Sequence, residues 1–421
     1  MKQMSESLNE RQQAILEKIL QGNNAFITGF AGSGKSYLTR HLHTQLKLKY
    51  GAGSVALTAM TGCAALLIGG STLHSNLGLG LAKGDPKDLV KRVRRIEGMP
   101  NYLKNLRALI IDEVSMLSDI LFDKVCEFFK ILHETDRPFG RLQVVLVGDM
   151  SQLKPVEGDY CFYADNWDCS RFEVCVLTEN MRVQSDKRFN DLLQNFRWGI
   201  ISDRELIDDM CENHFDGDII ATKLFSKNRD SDTINQYQLG NLIKAGAESY
   251  KFKVLYTTNP IKLIASTKYA KDNKIQEFLT LCVGAQVMVT RNLEPPIVNG
   301  TRGVVVALNP NSVSIKISSG ETVVIGYFHV KPDPFSVDRS TEHLDLKYIP
   351  LMLAWAISIH KSQGATIDCL EVDLGESVFA YGQAYTALSR ARDSKSVKIL
   401  RFNPRSVKTS KSVISFYNKY L

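Results

Sequence analysis

Through its first 180 residues the chain alternates short apolar, β-branched runs with longer helix-like stretches. The runs are Ala25 to Thr28, Val55 to Thr58, Ala108 to Ile111, Leu142 to Val147 and Val174 to Leu177. Such alternation predicts a parallel sheet covered by helices on both faces. The stretch from Ser75 to Asn105 holds Gly, Pro and the basic cluster Lys91, Arg92, Arg94 and Arg95, and it breaks the rhythm. It reads as a small insertion. A second alternation begins near Ala221 and resumes at Leu353 to Ser358, Cys369 to Asp373 and Val397 to Leu400, which predicts a second α/β domain. Between these parts lie Gly303 to Leu308, Ser312 to Ile317 and Thr322 to Val330, three β-rich runs separated by Asn-Pro-Asn and Ser-Gly turns. They predict a small β-barrel inserted in the second domain. The division expected is a first domain of 1–74 and 106–180 with its insertion at 75–105, and a second of 181–302 and 350–421 with its β-rich insertion at 303–349.

Composition narrows the class only a little. The 421 residues are 44% hydrophobic and 23% charged, which excludes a disordered or fibrous chain. A net charge of +7 favours a polyanionic partner. The eight cysteines include no C-x-x-C pair, so neither a zinc ribbon nor a thioredoxin-like site is indicated, and they read as reduced thiols. No apolar run approaches the roughly 18 residues of a membrane span, and the first residues lack the apolar stretch of a signal peptide. A soluble, reducing compartment, cytoplasm or nucleus, is expected, with no membrane partner.

The chemistry is concentrated in a few segments. Gly29-Phe30-Ala31-Gly32-Ser33-Gly34-Lys35-Ser36 fits G-x-x-x-x-G-K-[ST] and follows the apolar strand directly. Its glycines let backbone N–H groups turn inward around phosphates, the helix that follows offers its positive end, Lys35 reaches the β- and γ-phosphates, and Ser36 holds Mg²⁺. ATP with Mg²⁺ is therefore the expected ligand. Leu109-Ile110-Ile111-Asp112-Glu113 is an apolar strand ending in two carboxylates. Asp112 is placed to bind the metal and Glu113 to polarise the attacking water, a demand of hydrolysis rather than of binding. A third strand ends in Gly148-Asp149-Met150-Ser151-Gln152, where Gln152 is placed to sense the γ-phosphate.

Two distant segments, Leu177 to Arg182 and Ala384 to Arg390, each supply an arginine suited to a γ-phosphate. Their selection rests on resemblance. Leu8-Asn9-Glu10-Arg11-Gln12, Leu57 to Ala65, Gly69 to Ser75, Arg137 to Gly140, Ser226 to Asp230, Gly284 to Met288, Val298 to Gly303 and above all Ala354-Trp355-Ala356-Ile357-Ser358-Ile359-His360-Lys361-Ser362-Gln363-Gly364-Ala365-Thr366 stand in the order of the superfamily 1B helicases. The chain most closely resembles the Pif-type 5′-to-3′ DNA helicases, with RecD and Dda as more distant relatives. The resemblance runs from about Leu8 to about Arg392.

It implies two RecA-like parallel-sheet domains of the P-loop NTPase type, an α/β fold in which 75–105 is a strand-separating wedge. It makes Gln12 an adenine contact, Gly29 to Ser36 and Gly364 nucleotide-binding, and Lys35, Glu113, Gln152, Arg182 and Arg390 the hydrolytic set. Thr58, Thr61, Gly62, His74, Ser75, His360, Lys361 and Ser362 would touch DNA; cation, hydroxyl and backbone donors grip phosphate without reading bases, as a translocating protein requires. Departures are Asn76, and Met150 with Ser151, where relatives carry aromatics, and Met181 in place of a typical Phe. The basic cluster Lys91 to Arg95 fits a solvated helix face as well as a DNA contact. The reading is an ATP-dependent, monomeric DNA helicase acting on single-stranded, duplex or forked DNA, with replication or repair proteins as partners. Its rivals are an RNA helicase or non-unwinding translocase, and a nucleotide-gated binding module.

Overall fold

The computed structural model describes residues 8–61, 64–65, 68–80, 82–96, 98–179, 186–215, 221–226, 228–272, 275–291, 293, 297, 301–317, 320–330, 345–360, 362–363, 367 and 369–420. Two compact units emerge from the contacts: Met1–Leu206 with Ala380–Ser394 and Pro404–Leu421, and Ile207–Phe379 with Lys395–Asn403. The two C-terminal segments of the first unit, which the sequence division assigns to the second domain, join the first because Tyr385, Phe416 and Tyr417 bury their rings there.

The first unit is built on one parallel sheet of six strands: β1 (Ala25–Gly29), β2 (Val55–Ala59), β3 (Ser71–Thr72), β4 (Ala108–Asp112), β5 (Gln143–Gly148) and β6 (Glu173–Leu177), in the order β3-β2-β4-β5-β1-β6. All five long strands expected from the apolar runs form. β1 shows why. Ala25 and Ile27 join an aliphatic layer with Leu38, Leu42 and Leu46 from the helix Lys35–Tyr50, while Phe26 packs on the opposite face against Trp167 and Phe416, at ring distances of 6.4 and 6.1 Å. A strand covered on both faces has no reason to alternate with polar residues. The register aligns Thr28 with Gly148 and Ile111 with Leu146, so β1, β4 and β5 end together at one edge of the sheet. Ligands of open α/β sheets bind at that edge.

The described part of 75–105 carries two helices, Pro86–Val93 and Met99–Asn105, joined to the sheet by turns. Its helix Pro86–Val93 starts at Asp85, whose carboxylate accepts from the Lys87 N–H at 2.8 Å, and buries Leu89, Val90 and Val93. Lys91 pairs with Asp88 at 3.2 Å and Arg94 with Glu134 at 3.6 Å, both in the open. Such pairs are worth under about 1 kcal/mol, so the charged face is solvated and carries little of the stability.

The second unit runs through β7 (Thr222–Phe225), β8 (Ser249–Lys253), β9 (Leu255–Tyr256), β10 (Phe278–Cys282), β11 (Gln286–Val289), β12 (Arg302–Asn309), β13 (Ser312–Ile317) and β14 (Thr322–Gly326). It continues with β15 (Phe328–Val330), β16 (Leu346–Tyr348), β17 (Leu351–Leu353), β18 (Ala356–Ser358), β19 (Leu370–Leu374) and β20 (Val397–Phe402). β18-β7-β19-β20 form a parallel sheet, the second α/β layer expected. The β-rich insertion is present as an antiparallel sheet, β14-β13-β12-β11-β17, with a separate three-stranded sheet, β15-β16-β9. It reaches past both expected limits, because β11 and β17 flank 303–349 and close its core of Val287, Val305, Val313, Ile315, Ile325 and Leu351.

Two expected single strands are each divided between sheets. Thr322 to Val330 becomes β14 and β15, and Leu353 to Ser358 becomes the end of β17 and all of β18. Buried Asn235, on the helix Asn228–Lys244, fixes the second break. Its amide N–H₂ donates to Ala356 O at 2.9 Å while its carbonyl accepts from Ala356 N at 2.9 Å, where the chain changes sheets. Asn235→Leu should therefore cost about 2–4 kcal/mol in denaturant unfolding, since it leaves two buried backbone groups unpaired; a loss below about 1 kcal/mol would show that the break does not depend on Asn235. No helix among the described residues is long and apolar enough to cross a membrane, and the described cysteines are free thiols.

Candidate nucleotide-binding and hydrolysis site

From the end of β1 the chain turns at once into the helix Lys35–Tyr50. Gly32 and Gly34 hold φ of +90° and +83°, a region in which side chains are strained. Gly29 is required by space instead: a Cβ there would lie 2.6 Å from both Leu177 O and Ser33 Oγ. Phe30 and Ser33 are buried, Ala31 and Gly32 are partly open, and Ser36 is exposed in the first helical turn. Lys35 curls back, its Nζ donating to Gly29 O at 2.8 Å and Phe30 O at 2.9 Å. Burial pushes its pKa down, against the pull of Asp149, Glu113 and Asp112.

Asp112 closes β4 and is almost fully buried. Burial, and then the charge of Glu113, push its carboxyl up from the ordinary range, while the Glu113 N–H it accepts at 2.8 Å works the other way. Glu113 itself sits at φ +55°, ψ +45°, a left-handed conformation costing a non-glycine residue about 1–2 kcal/mol. Close packing holds it there, since a Cβ on Gly148 would come within 2.9 Å of Val114 N.

Gln12 and Gln152 both carry a spare polar atom. Gln12 completes the cap of the helix Glu10–Ile19, its Oε1 accepting from Asn9 N at 3.2 Å, and its buried Nε2 has no partner. The same is true of Gln152 Oε1 and Ser33 Oγ. Arg390, 5% exposed, is folded onto its own segment, with Nε donating to Thr386 O at 3.0 Å and Nη2 to Ser389 Oγ at 2.9 Å.

The sequence reading missed what holds these parts together. Asp149, with no exposed surface, accepts from Arg197 Nε at 3.1 Å and Nη2 at 3.0 Å, from Tyr385 OH at 2.9 Å, from Tyr417 OH at 3.2 Å and from Ser151 N at 3.1 Å. Tyr385 OH also accepts from Ala31 N at 2.8 Å, and Tyr417 OH from Met150 N at 2.9 Å. Burial disfavours the charge of Asp149, but Arg197 and Lys35 outweigh it and hold the carboxyl below the usual range. Burial likewise works against the Arg197 charge, and Asp149 more than compensates. Asp149 stands in a segment singled out for Gln152. Arg197 and Tyr417, 48 and 268 positions away, carry no local signal.

The expected DNA contacts divide. Thr58 is fully buried with its hydroxyl given to Ile110 O at 2.6 Å, and Ser362 is buried with Oγ on Ile359 O at 2.8 Å. Neither hydroxyl is presented to solvent in this structure. Thr61 Oγ1 accepts from Ala64 N at 3.2 Å, His74 is half-buried, and Ser75 is exposed. Burial pushes the pKa of His74, and that of His360 in the second unit, down from the ordinary value. Gly62, Arg182, Lys361, Gly364 and Met181 lie outside the described residues. The departures have plain causes. Asn76 bonds Ser71 Oγ and Tyr102 OH, both at 2.9 Å, and Met150 and Ser151 are buried beneath the site.

A parallel sheet with a glycine-rich phosphate loop after β1 and an acidic pair after β4 defines a phosphate-loop NTPase. Comparison narrows the class. Residues 7–205 match the model of the PIF1-like helicase family, and 272–308 that of the DNA helicase Pif1 2B domain. The ATP-dependent DNA helicase PIF1 of Xenopus laevis is 36% identical over 98% of this chain, which spans 64% of that relative's length. The crystal structure of the Pif1 helicase from Candida albicans superposes with a TM-score of 0.86 at 31% identity, covering 99% of this chain and 100% of that one. A Pif1 helicase from Bacteroides, solved in complex with ADP-AlF3 and ssDNA, gives 0.74 at 27% identity, covering 98% of this chain and 97% of that one. The chain belongs to the Pif1 helicase family.

Replacing Arg197 by Met should cost about 3–5 kcal/mol in denaturant unfolding, the scale for leaving a buried charge without its partner. A loss under about 1 kcal/mol would mean that Asp149 is satisfied by its other donors alone.

Proposed function

We propose that the chain is an ATP-dependent DNA helicase that moves 5′-to-3′ on single-stranded DNA and unwinds duplex or forked DNA in replication, repair or recombination. The observation that supports it most is Lys35, seated in the phosphate loop and in the field of Asp149, Glu113 and Asp112. A pure nucleotide binder has no need of a hydrolytic set. The site also fits ATP with Mg²⁺. The Ser36 hydroxyl and the Asp112 carboxylate are hard oxygen donors, Asp112 and Glu113 side by side call for a cation, and Gln12 Nε2, Ser33 Oγ and Gln152 Oε1 are buried groups in want of partners. When bound, the metal neutralises charge on the phosphates.

In this reading Lys35 exchanges its two loop carbonyls for the phosphates. Glu113 orients and polarises the attacking water, Gln152 sits on the γ-phosphate, and Arg390 leaves Thr386 and Ser389 to meet the developing charge, with Arg182 as a second guanidinium. Gln12 turns its free N–H toward adenine. Thr61, Gly62, His74, Ser75, His360 and Lys361 hold DNA phosphates, a sequence-blind grip suited to movement.

Purified protein should displace a strand from 5′-tailed and not from 3′-tailed duplex, with ATP turnover raised by DNA. Lys35→Ala should lower turnover about 100-fold or more, as expected for loss of a charge-stabilising group. Turnover without strand separation would replace unwinding by translocation, and turnover indifferent to oligonucleotide would overturn the motor reading.

A further inference from the structure

One carboxylate connects three parts of the hydrolytic site. Ala31 N, in the phosphate loop, donates to Tyr385 OH at 2.8 Å, Tyr385 OH donates to Asp149 Oδ2 at 2.9 Å, and Asp149 Oδ1 accepts from Ser151 N, one residue before Gln152, at 3.1 Å. The helix carrying Tyr385, Gln383–Leu388, is pressed on the same segment, because a Cβ on Gly382 at its start would fall 2.2 Å from Ser151 O and 2.8 Å from Gln152 O. Two residues beyond its end stands Arg390, tied back to the helix through Thr386 O at 3.0 Å. The loop, Gln152 and Arg390 thus share one frame of reference.

Resting on the ATPase reading above, we propose that Tyr385 is a positioning residue for hydrolysis: its hydroxyl keeps the phosphate loop, Gln152 and the Arg390 helix in mutual register. The ring is not the reason for the tyrosine. Phenylalanine would fill the same buried space but would leave Ala31 N–H without its acceptor and take a donor from Asp149. Lys35 and the remaining loop amides would still bind nucleotide, so affinity should survive while the alignment of reacting groups suffers. A displacement on the order of 1 Å costs about 100-fold in rate.

The test uses the full chain and four steady-state ATPase measurements with saturating oligonucleotide: wild type, Tyr385→Phe, Gln152→Ala and the double variant, each checked by thermal melting at the assay temperature. Per folded enzyme, as fixed by the melting measurement, Tyr385→Phe should lower kcat about 10-fold or more while KM for ATP moves less than about threefold, the split expected when alignment in the transition state is lost and nucleotide binding is kept. Because Gln152 is one of the groups that Tyr385 aligns, the double variant should be slowed by less than the product of the two single effects. Arg197→Lys, which keeps a cation by Asp149 but gives up the two-nitrogen hold, should show the same selective fall in kcat to a smaller degree, and it carries the test if Tyr385→Phe does not fold. An unchanged kcat in Tyr385→Phe, a loss that tracks the folded fraction, or single effects that multiply in the double variant would overturn the positioning role alone. A folded wild type that hydrolyses no ATP would overturn the ATPase reading and this role with it.

Discussion

Asp149 has no exposed surface, and a charged carboxylate survives there only because a guanidinium, two phenol hydroxyls and a backbone N–H converge on it. An isolated buried charge would cost several kcal/mol. Much of the first unit follows from that need. It draws Arg197 inward, where the cation also lies 4.8 Å from the rings of Trp198 and Tyr417, and it seats the last helix, whose Phe416 then packs on β1. It also explains why segments late in the chain complete the unit begun by the first strand.

The same constraint bears on chemistry. Catalysis by charge stabilisation needs groups that are already in place when charge develops, and here the loop, Gln152 and Arg390 are referred to a common buried anchor. Other strain is local. The left-handed backbone of Glu113 is held by the contact between Gly148 and Val114. Buried hydrogen-bonding atoms on Gln12, Ser33 and Gln152 are left without partners, which the proposed nucleotide would supply. Buried groups without partners are rare enough to require a cause, and a ligand supplies one.

The fold was legible in the sequence where one local rule governed. β1, β2, β4, β5 and β6 are mostly apolar, with no regular polar alternation, because both faces of the sheet are covered, and the phosphate loop announces itself through glycines whose φ values no other residue holds easily. Reading failed where tertiary contacts decide. Leu353 to Ser358 is one apolar run, yet Asn235, more than a hundred positions earlier, ends one sheet and begins another within it. Arg197 and Tyr417 follow from no spacing or motif, since their partner lies in a distant loop.

Asp149 holds the phosphate loop and the Gln152 segment through the two tyrosine hydroxyls, so the two should be protected together. Amide hydrogen exchange at Ala31 and Met150, the donors to the two tyrosine hydroxyls, measures this most directly. In wild type the two amides should share one opening free energy, and in Asp149→Asn both should speed up together, by about 10-fold or more for the roughly 1–3 kcal/mol at stake. Ala31 exchanging freely in wild type while Met150 stays protected, or the substitution freeing one and not the other, would contradict the account.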